Sequence, residues 1–274
     1  MSQKSILITG CSTGIGLDAA LTLHQRGYQV IATARSEKDV SILADKGLTA
    51  LQLDLTDRES ITEAVKQTLA LTGNRLDALF NNGAYGQPGA LEDLPTDALR
   101  EQFETNVFGW HELTRQILPI MRKQGYGRVI QNSSVLGFVC MPYRGAYNAS
   151  KFAIEGLTDT LRLEFADTPI HFSLIEPGPI ESQFRANALK KFKQHIDVPA
   201  SVHKLEYQKQ IDRLGKDIAN KFTLPASAVT EKLIHALESS RPKARYYVTF
   251  PTHLFARLKR LLPTRWLDRL LAKG

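Results

Sequence analysis

A tyrosine and a lysine lie four residues apart in the stretch NSSVLGFVCMPYRGAYNASK, residues 132–151. This spacing places Tyr147 and Lys151 on one face of a predicted helix. A phenol has a pKa of about 10 and is a poor base at neutral pH, but a neighbouring ammonium stabilises the phenolate and lowers that pKa. Ser134 ends a predicted strand thirteen residues before Tyr147. An acid and a second donor of this kind could stabilise a carbonyl oxygen that gains negative charge.

The elements that must position these side chains alternate regularly along the chain. Short apolar runs predict strands at 5–9, 28–34, 48–55, 76–80, 128–134, 170–178 and near 245–250. Periodic segments predict helices at 15–26, 37–46, 58–71, 96–122, 145–166 and 226–239. This order predicts an α/β fold with a doubly wound, Rossmann-like parallel sheet. Such sheets bind their ligands beyond the carboxyl ends of the strands.

The alternation stops after Pro179. Residues 181–224 are polar and lysine-rich with scattered aromatic side chains, and the segment is too long for an ordinary connection. We interpret it as an insertion that covers the substrate site, although a packed structural insertion is an equally good interpretation. We assign residues 1–250, with this insertion, to one domain and residues 251–274 to a basic amphipathic C-terminal extension.

Residues 9–16, TGCSTGIG, lie between the first predicted strand and the first predicted helix. Glycines let a phosphate come close to the backbone, and a helix N-terminus offers it free N–H groups. The spacing is not the commonest dinucleotide fingerprint, and a plain tight turn is the alternative. The second strand ends at Arg35, with no acid that could hold a ribose 2′-OH. Arg35 suits a 2′-phosphate, so we expect NADP(H) rather than NAD(H).

Several short motifs occur in order along the chain. They are Thr9-Gly10-x-x-x-Gly14-Ile15-Gly16, Asn81-Asn82-Gly83-Ala84, Asn106, Ser134, Tyr147-x-x-x-Lys151 and Pro177-Gly178. Over about residues 4–180 and the helix at 226–239, this set resembles the short-chain dehydrogenase/reductase family. The stretches GCSTGIG, ATAR, SLIEPGPI and RPKARYYVT resemble its retinol and 17β-hydroxysteroid dehydrogenase-like branch, which includes bacterial NADP-dependent aldehyde reductases. NNGA stands where the family usually has NNAG, and both small residues remain.

The resemblance implies a role for each motif residue. Tyr147 would be the general acid or base, and Lys151 would lower its pKa and bind the nicotinamide ribose. Ser134 would bind the substrate oxygen, and Asn106 would hold a water that links Lys151 to solvent. The expected cofactor contacts are Gly10, Ser12, Thr13, Gly14, Ile15, Gly16, Arg35, Asp54, Leu55, Asn82, Gly83, Tyr147, Lys151, Pro177, Gly178, Ile180 and Ser182. The expected substrate contacts are Ser134, Leu136, Met141, Tyr143 and Tyr147, and no metal is expected.

These residues predict an oxidoreductase that interconverts a lipophilic carbonyl and its alcohol by hydride transfer. The carbonyl would be an aldehyde, a retinoid or a steroid-like ketone. A non-catalytic NADP(H)-binding sensor or a membrane-associated scaffold that keeps the fold is the alternative. The four intact catalytic residues speak against it, since a sensor need not keep them all.

The composition limits location and partners. Two cysteines are too few for a disulfide framework, and neither a signal peptide nor an apolar spanning run is visible, so we expect a cytoplasmic protein.

The net charge of +7 arises from residues 241–274, which hold nine Lys/Arg and one acid. A nearly neutral body argues against nucleic acid as a partner. Residues 252–272 could pack on the body or another subunit, or lie on anionic lipid. By resemblance, helices 96–122 and 145–166 would form a homodimer or homotetramer interface.

Overall fold

The computed structural model describes residues 3–215 and 221–272 of the chain. Within that part, seven parallel strands form one sheet in the spatial order β3-β2-β1-β4-β5-β6-β7. The strands are β1 (Ser5–Ile8), β2 (Gln29–Ala34), β3 (Thr49–Gln52), β4 (Ala78–Asn81), β5 (Gly127–Asn132), β6 (Ile170–Glu176) and β7 (Arg245–Tyr247). The order reverses between β1 and β4, and a reversal of this kind opens a crevice beyond the strand ends.

Helices cover both faces of the sheet. They are α1 (Gly14–Gln25), α2 (Glu37–Asp45), α3 (Arg58–Leu71), α4 (Thr96–Phe103), α5 (Gly109–Gln124), α6 (Gly145–Glu164), α7 (Phe184–His195), α8 (Lys204–Gly215), α9 (Ser227–Glu238), α10 (Phe250–Leu261) and α11 (Thr264–Leu271). The predicted doubly wound fold is therefore confirmed, and most predicted elements agree with the structure to within a few residues.

The central strands are apolar on both sides, as a sheet with helices on both faces requires. Ile6 and Ile8 of β1 are buried in the cluster formed with α1 and α9, and Leu7 is buried in the cluster formed with α3 and α5. Successive side chains of a strand point to opposite faces, so one short strand contributes to both halves of the core.

The predicted helix 96–122 differs from the observed structure at its centre. Instead of one regular helix, α4 and α5 are joined by a π-helical segment, Glu104–Phe108. A π turn inserts an extra residue and shifts the helix face that follows. Asn106 lies in this segment and is fully buried. Gly109 follows this segment and packs against the chain after β3, where an added Cβ would lie 2.1 Å from the Leu55 carbonyl oxygen.

The segment 181–224 contains α7 and α8 and is closed at its base. A parallel β-bridge joins Ile180 to Leu224, and the Glu181 N–H donates to the Leu224 carbonyl at 3.0 Å. Phe192 of α7 and Tyr207 of α8 are fully buried together in a cluster of their own. The parts of the segment that the structure describes, 181–215 and 221–224, are thus packed. That the segment covers a substrate site stays a prediction.

The C-terminal extension forms α10 and α11, which Pro263 separates. Leu271 is buried and Leu267 is half-buried against Val135 and Leu136, in the loop after β5. One side of the extension therefore packs on the body. Among the helices in the described ranges, none combines the length and apolar character needed to cross a membrane.

We predict that Gly109→Ala destabilises the protein although alanine is the better helix former. The new Cβ must displace the buried backbone of Leu55, and overpacking of this kind costs about 1–3 kcal/mol. Gly156→Ala is the matched control, because that glycine also lies in a helix but has no atom within 4 Å of an added Cβ among the described residues. Urea denaturation should show a loss for the first variant and no loss for the second. Equal stability of the two variants would contradict the described contact.

Candidate active site

A cavity of about 740 Å³ lies at the carboxyl ends of the central strands. The glycine loop and the ends of β4 and β5 form its polar side, while α7 and α10 form its apolar side. It is therefore placed at the switch point of the strand order, where parallel α/β sheets bind their ligands.

The glycine loop is shaped for close approach to an anionic group. Gly10 has a φ of +70°, and an added Cβ there would lie 2.6 Å from the Gly83 Cα atom. At Gly16, an added Cβ would lie 2.2 Å from the Gly10 carbonyl oxygen. Helix α1 begins at Gly14, its first turn holds no acid, and the Thr13 side chain does not cap it in the described structure. The free N–H groups of that first turn fit the pyrophosphate of a dinucleotide.

A chain of hydrogen bonds connects this loop to Lys151. The Asn82 side-chain amide donates to the carbonyl oxygens of Thr9 at 3.0 Å and Gly10 at 3.2 Å. The Asn132 amide donates to Asn82 Oδ1 at 2.8 Å, and Lys151 Nζ donates to the Asn132 carbonyl at 2.7 Å. The position of the lysine is therefore tied to the position of the loop. Sequence reasoning missed Asn132, although it opens the NSS stretch that ends in Ser134.

The acidities of the two motif side chains are governed by burial. Burial raises the pKa of Tyr147 to about 12, against smaller lowering effects of a hydrogen bond with Ser134 and of the Arg144 charge. Burial also lowers the pKa of Lys151 to about 7, against the opposing charge of Glu155. The direction for Tyr147 is opposite to the one predicted from sequence. The reason is that the phenolate would be desolvated, while Lys151 Nζ lies 5.7 Å from the ring centroid and donates its hydrogen bond elsewhere.

Trp110 is a second residue that sequence reasoning missed. The Lys151 ammonium nitrogen lies 4.3 Å from the centroid of its ring, a cation–π distance. The Trp110 Nε1–H donates to the Gly83 carbonyl at 2.8 Å. One fully buried side chain thus contacts both the lysine and the loop after β4. Its position in the middle of a helix gave no signal beyond an ordinary core residue.

Asn106 is buried behind this arrangement. Its side-chain oxygen accepts from the Tyr85 N–H at 3.2 Å. Its amide donates to the Tyr85 carbonyl at 2.9 Å and to Ser150 Oγ at 3.1 Å. The side chain therefore fixes the loop after β4 against α6. The water that Asn106 is expected to hold remains a prediction.

Most of the predicted site residues come together at the cavity. Those that line it are Gly10, Ser12, Thr13, Gly14, Ile15, Asn82, Gly83, Ser134, Leu136, Met141, Tyr147, Lys151, Pro177, Gly178, Ile180 and Ser182. Ser134 Oγ also accepts from the Leu136 N–H at 3.1 Å, which fixes its rotamer. The two hydroxyls of the predicted acid and donor thus face one space.

The residues predicted to contact the adenosine half of the cofactor lie at neighbouring strand ends. Arg35 follows β2 and is exposed, and its carbonyl accepts from the Gln52 amide at 3.0 Å. The Asp54 carboxylate accepts from the Thr56 N–H at 2.9 Å. Arg35, Asp54 and Leu55 do not line the cavity. They follow β2 and β3, which lie at the end of the sheet farther from Tyr147.

The predicted substrate contact of Tyr143 needs correction, because the side chain does not line the cavity. Its φ is +59°, which is rare for a tyrosine and turns the loop before α6. The ring packs edge-on against Tyr207 and His203, with centroids 5.9 and 5.6 Å away. The predicted substrate contact of Tyr143 is therefore replaced by a structural contact with α8.

Apolar side chains of the insertion and the extension form walls that motif reading could not identify. Phe184 of α7 lies edge-on to Tyr147 at a centroid distance of 5.2 Å. Phe222, Leu254 and Phe255 line the same cavity. A hydroxyl pair at the bottom of an apolar space can hold the polar end of a lipophilic molecule.

A cluster of charged side chains joins β6 and β7 to α6, the helix that carries Tyr147 and Lys151. Arg245 Nη2 contacts the carboxylates of Glu155 at 2.9 Å and Asp159 at 2.8 Å, and its Nε lies 3.0 Å from Glu176 Oε1. Glu155 also accepts from the Ser133 hydroxyl at 2.5 Å, directly beside Ser134. Arg162 also pairs with Asp159, so two guanidinium groups face three carboxylates. Burial and the Glu155 charge therefore raise the pKa of Glu176, which is fully buried.

The fold and this constellation define a family, and sequence comparison agrees. The profile of the short chain dehydrogenase family matches residues 4–193. The chain belongs to the short-chain dehydrogenase/reductase family.

Three relatives span nearly all of the chain. It is 42% identical over 269 residues to the oxidoreductase YbbO of Escherichia coli, with 98% of this chain and 94% of the relative covered. It is 32% identical over 261 residues to human 17-beta-hydroxysteroid dehydrogenase type 1, covering 91% and 78%. It is 30% identical over 279 residues to the NADPH-dependent 3-dehydrocapnine reductase of Ornithobacterium rhinotracheale, covering 99% and 97%.

We predict that Glu176→Gln removes part of the pH dependence of stability. The folded protein keeps a proton on Glu176 that the unfolded chain releases above the usual carboxyl range, so rising pH favours unfolding by at most about 1.4 kcal/mol per pH unit. The variant cannot ionise at this position. Its free energy of unfolding should therefore fall less than that of the wild type between mildly acidic and mildly alkaline solution.

The control for this prediction is Glu181→Gln, because that side chain is exposed. It should keep the pH dependence of the wild type. A Glu176→Gln variant whose stability falls as steeply as that of the wild type would contradict a raised pKa at Glu176.

Proposed function

We propose that this protein is an NADP(H)-dependent oxidoreductase that reduces a lipophilic carbonyl compound to its alcohol and catalyses the reverse oxidation. The observation that carries the proposal is the shared cavity. The hydroxyls of Tyr147 and Ser134 lie in the same space as the glycine loop that fits a pyrophosphate. A general acid and a dinucleotide site in one cavity are the two requirements of carbonyl reduction by hydride.

The proposed cofactor contacts follow the path of the sheet edge. The loop from Gly10 to Ile15 would bind the pyrophosphate, and Arg35 would bind the 2′-phosphate of NADP(H). Asp54 and Leu55 would border the adenine. Lys151 would bind the nicotinamide ribose, with Ile180 and Ser182 near the carboxamide. The name of the Ornithobacterium relative, NADPH-dependent 3-dehydrocapnine reductase, supports the choice of cofactor.

The acidity of Tyr147 suits the reductive direction. When bound, the dinucleotide supplies a hydride to the carbonyl carbon. With a pKa raised to about 12, the Tyr147 phenol keeps its proton at neutral pH and can donate it to the carbonyl oxygen. Ser134 stabilises the same oxygen with a second hydrogen bond. Lys151, with a pKa lowered to about 7, can return a proton to the phenolate afterwards.

The cavity walls support a lipophilic substrate. Leu136, Met141, Phe184 and Phe255 surround the space into which the hydroxyls point. Apolar walls of this kind stabilise an apolar chain or ring system at about 25 cal/mol for each Å² removed from water. The steroid named in the human relative is consistent with this class.

We expect Tyr147→Phe to lower the rate of NADPH oxidation with medium-chain aldehydes, retinal or steroid ketones by at least about 100-fold, because the general acid is lost. Binding of NADPH should remain. Tyr143→Phe is the matched control, since it removes a hydroxyl four residues earlier in the chain but outside the cavity, and it should retain the wild-type rate. Wild-type protein that binds NADPH and reduces no carbonyl would support the sensor alternative instead.

We expect Arg35→Asp to reverse the cofactor preference. The change removes a cation and places a carboxylate at the end of β2, where it repels a 2′-phosphate and can accept from a ribose 2′-OH. The ratio of kcat/KM for NADPH to that for NADH should fall about tenfold or more, the size of one charged hydrogen bond. Lys46→Asp, the same type of charge reversal at the far end of α2, should leave the ratio unchanged. An unaltered ratio in Arg35→Asp would remove Arg35 from the cofactor site.

A further inference from the structure

Helices α10 and α11 expose an unusual amount of apolar surface. The exposed fractions are 61% for Phe250, 39% for Leu254, 77% for Leu261, 63% for Trp266 and 49% for Leu270. We call these five side chains the tail surface. Single exposed apolar residues are ordinary, but a group of large ones on two consecutive helices marks an interaction site.

The arrangement of these residues follows the helical period. Phe250, Leu254 and Leu261 are spaced four and seven residues apart, so they share one face of α10. In α11, Leu267 and Leu271 face the body, while Trp266 and Leu270 continue the apolar face beyond it. The apolar side of α11 is thus wider than the area that the body covers.

Basic side chains surround the tail surface. Arg257, Arg260, Arg265 and Arg269 are exposed on the same two helices, as is Lys259. Asp268 is their single acidic side chain. The surface therefore combines leucine and tryptophan side chains with a net positive charge, which is the pattern of helices that lie in the interface of an anionic membrane.

The tail surface also reaches the mouth of the cavity. Phe250 and Leu254 line the cavity and are exposed to solvent, so they must lie at its opening. The ring of Phe222 stacks on Phe250 at a centroid distance of 5.5 Å and extends the opening towards the insertion. Whatever covers the tail surface therefore stands at the entrance of the substrate site.

We propose that the tail surface docks on an anionic phospholipid bilayer, with the cavity mouth turned towards the lipid. Trp266 and the exposed leucines enter the headgroup region, and the arginines contact lipid phosphates. A second copy of this chain is a poorer occupant, because a two-fold contact would bring the two sets of basic side chains together. Nucleic acid is also poorer, since leucine side chains gain nothing from a phosphate backbone. Delivery of a substrate from the lipid, but not the docking itself, rests on the proposed function.

Flotation of the full chain with lipid vesicles tests the docking. We expect binding to vesicles of phosphatidylcholine with phosphatidylglycerol, little binding to phosphatidylcholine alone, and weakening by salt. The double variant Leu261→Ser with Trp266→Ser should lose at least about tenfold in partition coefficient, since it removes apolar area that the bilayer would bury. The triple variant Arg257→Gln, Arg265→Gln and Arg269→Gln should lose as much, through charge.

Two control variants remove comparable side chains elsewhere. Leu205→Ser removes a leucine that is 85% exposed on α8. The double variant Lys38→Gln with Lys46→Gln removes exposed charges at α2. Both should float like the wild type. Equal losses in the controls, or a wild type that floats with neither vesicle, would overturn the docking.

Light scattering and turnover separate the remaining outcomes. A smaller assembly in Leu261→Ser with Trp266→Ser would assign the tail surface to a second copy and overturn the proposal, and retardation of DNA without flotation would do the same. The double Leu261/Trp266 variant and the triple arginine variant should both reduce a short, water-soluble aldehyde with NADPH at the wild-type rate. If the wild type floats but reduces no carbonyl, the docking stands and the proposed function fails.

Discussion

The site depends on one continuous chain of hydrogen bonds across the switch point of the sheet. Asn82 holds the carbonyl groups of Thr9 and Gly10, Asn132 holds Asn82, and Lys151 holds Asn132. These are buried or half-buried polar groups, and each would be costly if it lost its partner. The order of the strands brings the four segments together, and the close backbone approach of Gly10 to Gly83 leaves them room. The same contacts that hold the fold at its switch point therefore fix Lys151 relative to the glycine loop.

Burial sets the chemistry of this arrangement. It raises the pKa of Tyr147 and lowers the pKa of Lys151. A neighbouring ammonium alone would instead lower the pKa of the phenol. Behind them, Arg245 contacts the carboxylates of Glu155, Asp159 and Glu176, and burial raises the pKa of Glu176. The contact with Glu155 ties the helix of Lys151 to this cluster. In front of them, the walls from α7 and α10 are apolar. Beside apolar walls, a proton donor acts more strongly on a developing charge than it would in water.

Much of this could be predicted from the sequence, because short-range patterns determine it. Apolar runs and turn residues specify the strands of the sheet, and the spacing of Tyr147 and Lys151 places both on one face of α6. Long-range contacts could not be predicted in this way. The turn of Tyr143 away from the cavity depends on a positive φ and on its packing with Tyr207 of a distant helix. Packing that leaves no local signal likewise produces the π-helical turn at Asn106 and the position of the Trp110 ring beside Lys151. It also produces the arrangement of 181–215.

The central claim is that hydride passes directly from NADPH to a carbonyl carbon in the cavity beside Tyr147. The most direct measurement supplies NADPH that carries deuterium at C4 of the nicotinamide, in each stereochemical form separately, together with a medium-chain aldehyde, retinal or a steroid ketone. Mass spectrometry then follows the alcohol product. The account predicts one deuterium on the carbinol carbon from one labelled form and none from the other. Consumption of NADPH that yields only unlabelled alcohol from both forms, or no consumption with any of these carbonyls, would contradict it.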